Sequence, residues 1–198
     1  MKLLIASNNA HKVQEISQIL SPYFEELVTM KQAGLSIDVV EDGTTFAQNA
    51  LKKAQEIFEK SGYDAVLADD SGLCVDALGG APGVYSARYC KEGHDDAANN
   101  ALLMKNMEEV PDGKRTCRFM CCVALVRRGK APIVVEGTAE GLLLRKAQGE
   151  NGFGYDPYFF YPPLKKSFAQ LTSEEKNQVS HRKNALDKLR LALDREGL

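Results

Sequence analysis

The sequence predicts an α/β fold, a mixed sheet flanked by helices and open to an arrangement of two lobes around a substrate cleft. Three observations lead there. Strand and helix patterns alternate through the first third of the chain. Two long strand candidates that look antiparallel fill the middle, and helical patterns close it. The 198 residues suffice for one substantial core. No linker separates independent parts, so residues 1–198 read as a single domain.

The elements follow in order. Residues 2–7 read as the first strand, and residues 10–20 as a helix with Val13, Ile16, Ile19 and Leu20 on one face. An extended segment spans about 24–30, and a polar loop runs to about 43. Thr44 or Thr45 caps a helix reaching about 60, whose buried stripe is Phe46, Ala50, Ala54 and Ile57 or Phe58. Strands at 65–68 and 73–78 flank a turn made by Asp69, Asp70, Ser71 and Gly72, which are common turn residues. A Gly/Pro loop at 79–89 leads to a helix at about 94–107 and a loop through Pro111, Asp112 and Gly113. Strands at 115–128 and 131–145 follow, and the first alternates Cys117, Phe119, Cys121, Val123 and Leu125 on one face. After a glycine-rich loop at 149–157, Thr172 or Ser173 with Glu174 and Glu175 marks a helix start. The last helix covers about 181–195.

Composition narrows the functional classes. Apolar residues make up 44% and charged residues 26%, and the net charge is −2, so there is no global basic field of the kind duplex binding needs. Any bound anion must be held by a local cluster of cations. No 18-residue apolar run exists, and Met1–Ala6 turns polar too soon for a signal peptide. Neither nucleic acid nor membrane is therefore an expected partner. None of the five cysteines is in Cys-x-x-Cys spacing, and Cys117, Cys121 and Cys122 lie in an apolar run as small hydrophobes, which fits a reducing cytoplasm.

The densest chemistry is Ala68-Asp69-Asp70-Ser71-Gly72-Leu73. Two adjacent acids repel, and a fold accepts them where a cation or proton offsets the repulsion. Strand ends are also where open α/β sheets place their chemistry. Four other segments join it. Ser7-Asn8-Asn9-Ala10-His11-Lys12 enters the first helix, where backbone N–H groups and a lysine suit an anion. Glu41-Asp42-Gly43 precedes the helix carrying Asn49 and Lys53, which share one face. Glu41 with Asp70 supplies the one or two carboxylates that Mg²⁺ takes. In Gly152-Phe153-Gly154-Tyr155-Asp156-Pro157, glycines on both sides of the ring let it lie against a ligand, and Asp156 before proline aims a carboxylate at a base edge. Lys176 reaches for a phosphate, and His181 and Arg182 offer donors. Taken singly, each segment also reads as an ordinary cap, loop or solvated helix start.

Together they resemble the inosine triphosphate pyrophosphatase family, the Ham1/RdgB-like nucleoside triphosphate pyrophosphatases, nearly end to end. Ser7–Lys12 is similar to its phosphate-binding opening, although many members have Gly where this chain has Asn8. Glu41–Ala54, Ala68–Leu73, Gly79–Tyr89, Phe153–Asp156 and Glu175–Arg182 match its other motifs in order. The resemblance implies an elongated mixed fold with a central cleft, dependence on Mg²⁺ and a homodimer. It implies hydrolysis of ITP, dITP, XTP and dXTP to monophosphate and pyrophosphate, which keeps deaminated purines out of DNA and RNA.

The expected roles follow. Ser7, Asn8, Asn9, Ala10, His11 and Lys12, with Lys53 and Lys176, surround the triphosphate. Glu41 and Asp70 hold Mg²⁺. Asp70, with Asp69 as the competing candidate, takes the proton of the attacking water, and Ser71 bonds substrate. Phe153, Gly154, Tyr155 and Asp156 form the purine segment, in which Phe153 stacks on the base. His181 and Arg182 face the 6-keto oxygen, where adenine would leave buried donors unpaired at roughly 1–3 kcal/mol each. A pyrophosphatase for modified pyrimidine nucleotides lacks the purine segments seen here. An aspartyl-phosphate phosphatase needs Asp-x-Asp, and a nucleotide sensor needs no base beside a metal.

Overall fold

The computed structural model describes residues 1–91 and 95–197. In chain order the elements are β1 (Lys2–Ile5), α1 (Ala10–Leu20), β2 (Glu26–Thr29), α2 (Phe46–Ser61), β3 (Ala65–Val75) and α3 (Asp96–Asn106). They continue with β4 (Thr116–Arg127), β5 (Ile133–Leu143), β6 (Phe159–Tyr161), β7 (Lys166–Ser167), α4 (Ser173–Val179) and α5 (His181–Arg195). Among the described residues seven strands form one mixed sheet in the order β2-β1-β3-β4-β5-β6-β7. β1 pairs in parallel with β2 and β3, whereas β6 is antiparallel to both β5 and β7.

The local chemistry explains most boundaries. Asn9 caps α1, and Thr45 caps α2 by accepting from the Gln48 N–H. Gly62 ends α2 at φ 72°, a left-handed turn that glycine adopts without strain. Thr172 and Glu175 complete a reciprocal capping box at the start of α4. The expected start of the third helix at residue 94 lies outside the described residues.

One expectation is corrected. The stretch 65–78 does not form two strands around an acidic turn, because β3 runs unbroken from Ala65 to Val75 with Asp69 and Asp70 inside it. Turn propensity is overridden where side chains find partners that extended backbone presents correctly, and both carboxylates do. β6 and β7 are too short for a periodic signal and had no counterpart in the sequence pattern.

The chain forms two compact units. One comprises Met1–Asp70, Cys121–Gly137 and Arg182–Leu198, and the other Ser71–Met120 and Thr138–His181. In the first, Leu3 and Ile5 of β1 and Ala65 and Leu67 of β3 pack with Ile16 and Leu20 of α1 and with Ala185, Leu186, Leu189 and Leu193 of α5. In the second, Leu73, Val75, Phe119, Leu143, Phe159 and Phe168 lead a core in which the Phe119 and Phe159 rings lie 4.7 Å apart. The alternation read in β4 serves both: Cys117 and Phe119 enter the second core, and Cys121, Val123 and Leu125 the first.

Candidate active site

β3 delivers the two acids. Consecutive residues of a strand face opposite sides, so Asp69 continues the Ala65–Leu67 face beneath α1 and α5, and Asp70 faces the other way. Asp69 is buried, and its Oδ2 accepts from Lys12 Nζ at 2.9 Å and from Arg182 Nε and Nη2 at 3.2 Å each. Arg182 Nη1 also reaches Glu15 Oε2 at 2.6 Å. Burial alone would raise the Asp69 carboxyl, but the charges of Lys12, Arg182 and Lys53 hold it far below the usual carboxylate range.

Asp70 has the opposite surroundings. Its Oδ2 accepts from Asn49 Nδ2 at 2.9 Å, and the Asn49 side chain is fully buried on α2. Burial and then the charge of Glu41 push the Asp70 carboxyl up to about 6, against the pull of Asn49, Lys53 and Lys12. Lys53, four residues along α2 from Asn49, binds Glu41 Oε1 at 2.6 Å. Burial lowers the Lys53 ammonium, but Asp69, Glu41 and Asp70 outweigh it and leave it above its ordinary value. The Glu41 charge raises the Asp70 carboxyl, and both carboxylates are hard oxygen donors of the kind Mg²⁺ takes, so the residues present fit it.

The loop before α1 is ordered around its own cap. Asn9 Oδ1 accepts from the N–H groups of His11 and Lys12 at 3.0 and 3.2 Å, and the Asn9 N–H donates to Ser7 Oγ at 3.2 Å. The Asn9 oxygen thus serves the helix itself, and the cation the loop contributes is Lys12. Asn8, Ala10 and His11 are exposed, and Ser7 is half-buried.

In the second unit, Lys176 and the glycine-rich loop come together. Lys176 is buried, 5% exposed; its Nζ lies 2.5 Å from Asp156 Oδ2 and 4.6 Å from the centre of the Phe153 ring. Asp156 Oδ2 also accepts the Phe153 N–H at 2.9 Å. Gly152 must be glycine: its φ is 76°, and a Cβ there would meet Asp156 Oδ2 at 2.1 Å. α3 fixes the same loop, because Asn100 Nδ2 donates to the Gly154 carbonyl and the Gly154 N–H donates to Asp96 Oδ2. His181 is buried and stacks on Phe119, ring centres 4.8 Å apart. Ser71 is half-buried in β3.

Several side chains are placed differently from the sequence expectation. Lys176, expected at the triphosphate, is engaged by Asp156 and the Phe153 face. Arg182, expected at the base edge, has its guanidinium between Glu15 and Asp69. The Tyr155 side chain is in the second core, its hydroxyl donating to the Ser86 carbonyl at 2.7 Å. The physical reason is common to all three: a buried charge or hydroxyl takes the partner that the fold supplies. Sequence reading missed Glu15, Asn49 as a site residue, Asp96 and Asn100. The available signals were a Glu one position before Ile16 on the inner face of α1, and an amide interrupting the apolar stripe of α2.

A model of the Ham1 family matches residues 3–192. The chain belongs to the Ham1 family. It is 48% identical over 194 residues to the dITP/XTP pyrophosphatase of Clostridium perfringens, covering 96% of this chain and 95% of that protein. The solved structure of the Staphylococcus aureus Ham1 protein superposes with a TM-score of 0.89 at 38% identity, over 99% of this chain and 100% of the other. The nucleoside-triphosphatase, or dITP/XTP pyrophosphatase, of Mycobacterium abscessus gives 0.78 at 44% identity, over 96% and 98%. This Ham1 chain thus shares its architecture with those proteins along almost its whole length.

Proposed function

We propose that this Ham1 protein hydrolyses deaminated purine nucleoside triphosphates, ITP, XTP and their deoxy forms, to monophosphate and pyrophosphate, with Mg²⁺. The observation that carries the reading is the Asp70 carboxyl, buried beside Glu41 and flanked by Lys12 and Lys53. The names of the relatives, dITP/XTP pyrophosphatases, support the substrate class.

Glu41 and Asp70 are the residues that would hold Mg²⁺; bound there, the ion neutralises phosphate oxygens and the leaving pyrophosphate. Lys12 and Lys53 attract and orient the triphosphate. Asp70 accepts the proton of the water attacking the α-phosphorus. Asp69, held ionised by Lys12 and Arg182, has the opposite character and acts as a fixed counter-charge. Phe153 stacks on the purine. Lys176, lying over that ring, is assigned with His181 to the base, and Arg182 to holding Asp69 in place.

Among the described residues no helix is long and apolar enough to cross a membrane. None of the five cysteines is in a disulfide among the described residues, which supports work in a reducing cytoplasm. The homodimer is proposed from the family.

The test is pyrophosphate release from ITP, XTP, ATP, GTP and UTP, each with Mg²⁺ and with chelator. Mg²⁺-dependent release from ITP and XTP at least about 100-fold faster than from ATP is expected for a pocket that rejects by hydrogen bonding. Orthophosphate as the product, or no turnover, would overturn the reading. Phe153→Leu should raise the KM for ITP about 10-fold by removing a stacking surface, and an unchanged KM would remove Phe153 from the base site.

A further inference from the structure

We infer that Asn49 is a positioning residue that locks the Glu41 loop and the Asp70 carboxylate into one geometry; this rests on the functional reading above. The Asn49 side chain is fully buried, and the other buried residues of α2 (Phe46, Ala50, Ala54 and Ile57) are apolar. A buried amide with no task there would be costly. It has two. Nδ2 donates to Asp70 Oδ2 at 2.9 Å, and Oδ1 accepts the Gly43 N–H at 2.7 Å.

The two partners fix both the orientation and the residue type. An ionised carboxylate only accepts and a backbone N–H only donates, so the bridging side chain must offer a donor on one arm and an acceptor on the other. Asparagine does this at a reach that fits, aspartate would repel Asp70, and leucine would bind neither group. Gly43 completes the fit: a Cβ at that position would meet Asn49 Oδ1 at 2.6 Å and Gln48 Cβ at 2.9 Å. The peptide two residues beyond Glu41 therefore approaches the amide as closely as only glycine permits. One side chain thus ties the segment that carries Glu41 to the strand that carries Asp70. Asn49 reaches neither the phosphates nor the metal in this assignment and acts through those two carboxylates.

The experiment uses the full-length protein. Steady-state kinetics on ITP are measured against Mg²⁺ concentration for the wild type, Asn49→Leu and Gly43→Ala, with hydrogen exchange at the Gly43 amide and thermal unfolding alongside. Leucine keeps the branching and the number of side-chain heavy atoms of asparagine and removes both hydrogen bonds. Asn49→Leu is expected to lower kcat about 100-fold with the KM for ITP within about 3-fold. The Mg²⁺ concentration for half-maximal activity should rise about 10- to 100-fold, and the Gly43 amide should lose protection. Gly43→Ala, which keeps the amide but displaces it, should act in the same direction by about 10-fold. It carries the test if Asn49→Leu does not fold.

A merely structural role predicts something else: activity falling only with the folded fraction, and unchanged KM and Mg²⁺ dependence in the molecules that remain folded. That result, or unchanged kcat in both variants, would overturn the inference while the wild type remains active. A wild type inactive on ITP would overturn the functional reading and this inference with it.

Discussion

Asp69 and Asp70 are neighbours on one strand, yet the two faces of that strand treat the same group in opposite ways. Beneath α1 and α5, Asp69 meets Lys12 and Arg182 and is held ionised far below the usual carboxylate range. On the other face, Asp70 meets the Glu41 charge and the neutral amide of Asn49, with Lys53 and Lys12 too weak to offset burial, and its carboxyl rises to about 6. Burial is common to both, so burial does not explain the difference; the balance of neighbouring charges does, with direct ion pairs to Lys12 and Arg182 at Asp69 and the Glu41 anion at Asp70. A buried acid surrounded by cations stabilises the fold, whereas a buried acid beside another acid costs stability and becomes available to bind a cation or move a proton.

The largest effect that would break this comparison is on turnover. Asp70→Asn is expected to lower kcat by about 10³-fold, within the range general-base removal produces, with nucleotide affinity changed only a few-fold. Single-turnover rates and equilibrium binding of ITP would show it, and equal losses in both would end the distinction between the faces.

Next in size is stability. Asp69→Asn removes the anion that Lys12 and Arg182 share, and breaking a buried pair costs about 3–5 kcal/mol. Urea unfolding should show that loss, and a change below about 1 kcal/mol would mean that Glu15 alone satisfies Arg182.

A smaller effect has the opposite sign. In metal-free protein Asp70→Asn should stabilise the fold by up to about 3 kcal/mol at pH 8, the equivalent of moving a carboxyl from 3.8 to about 6. The folded state binds this proton more tightly than the unfolded chain, so wild-type stability from this group is fully present below pH 4 and falls as pH rises through 6. Asp69 behaves inversely, its contribution present above its unfolded value of 3.8 and lost as pH falls. From pH 4 to 8 the melting temperature of Asp70→Asn should therefore climb increasingly above the wild type, whereas Asp69→Asn should run parallel to the wild type and below it, approaching it only below pH 4; an Asp70→Asn curve parallel to the wild type would refute the account.

Much of this was legible in the sequence because it rests on local rules. The α1 and α2 boundaries follow from Asn9, Thr45 and Gly62, and the α4 start from Thr172 and Glu175. The period of β4 likewise marked the face of Cys117, Phe119, Cys121, Val123 and Leu125, although from Cys121 on both faces are buried. The acidic pair drew attention because two adjacent charges need a reason. What stayed hidden depends on contacts far apart in the chain. Extended backbone through Asp69 and Asp70 is secured by Arg182, 113 residues from Asp69, and by Asn49, 21 residues from Asp70. The same holds for Lys176, whose pairing with Asp156 spans 20 residues and sets its ammonium over the Phe153 ring.

The cysteines have a practical consequence. Cys74, Cys117, Cys121 and Cys122 are buried, and burial pushes the Cys117 and Cys122 thiols up to about 12, so these two hold their protons at neutral pH. Cys90 alone is exposed. Thiolate is the reactive form, so a maleimide dye should couple to the native protein once, at Cys90. The wild-type sequence thus provides a single attachment point for a fluorophore or a solid support, with no residue of the proposed chemistry altered.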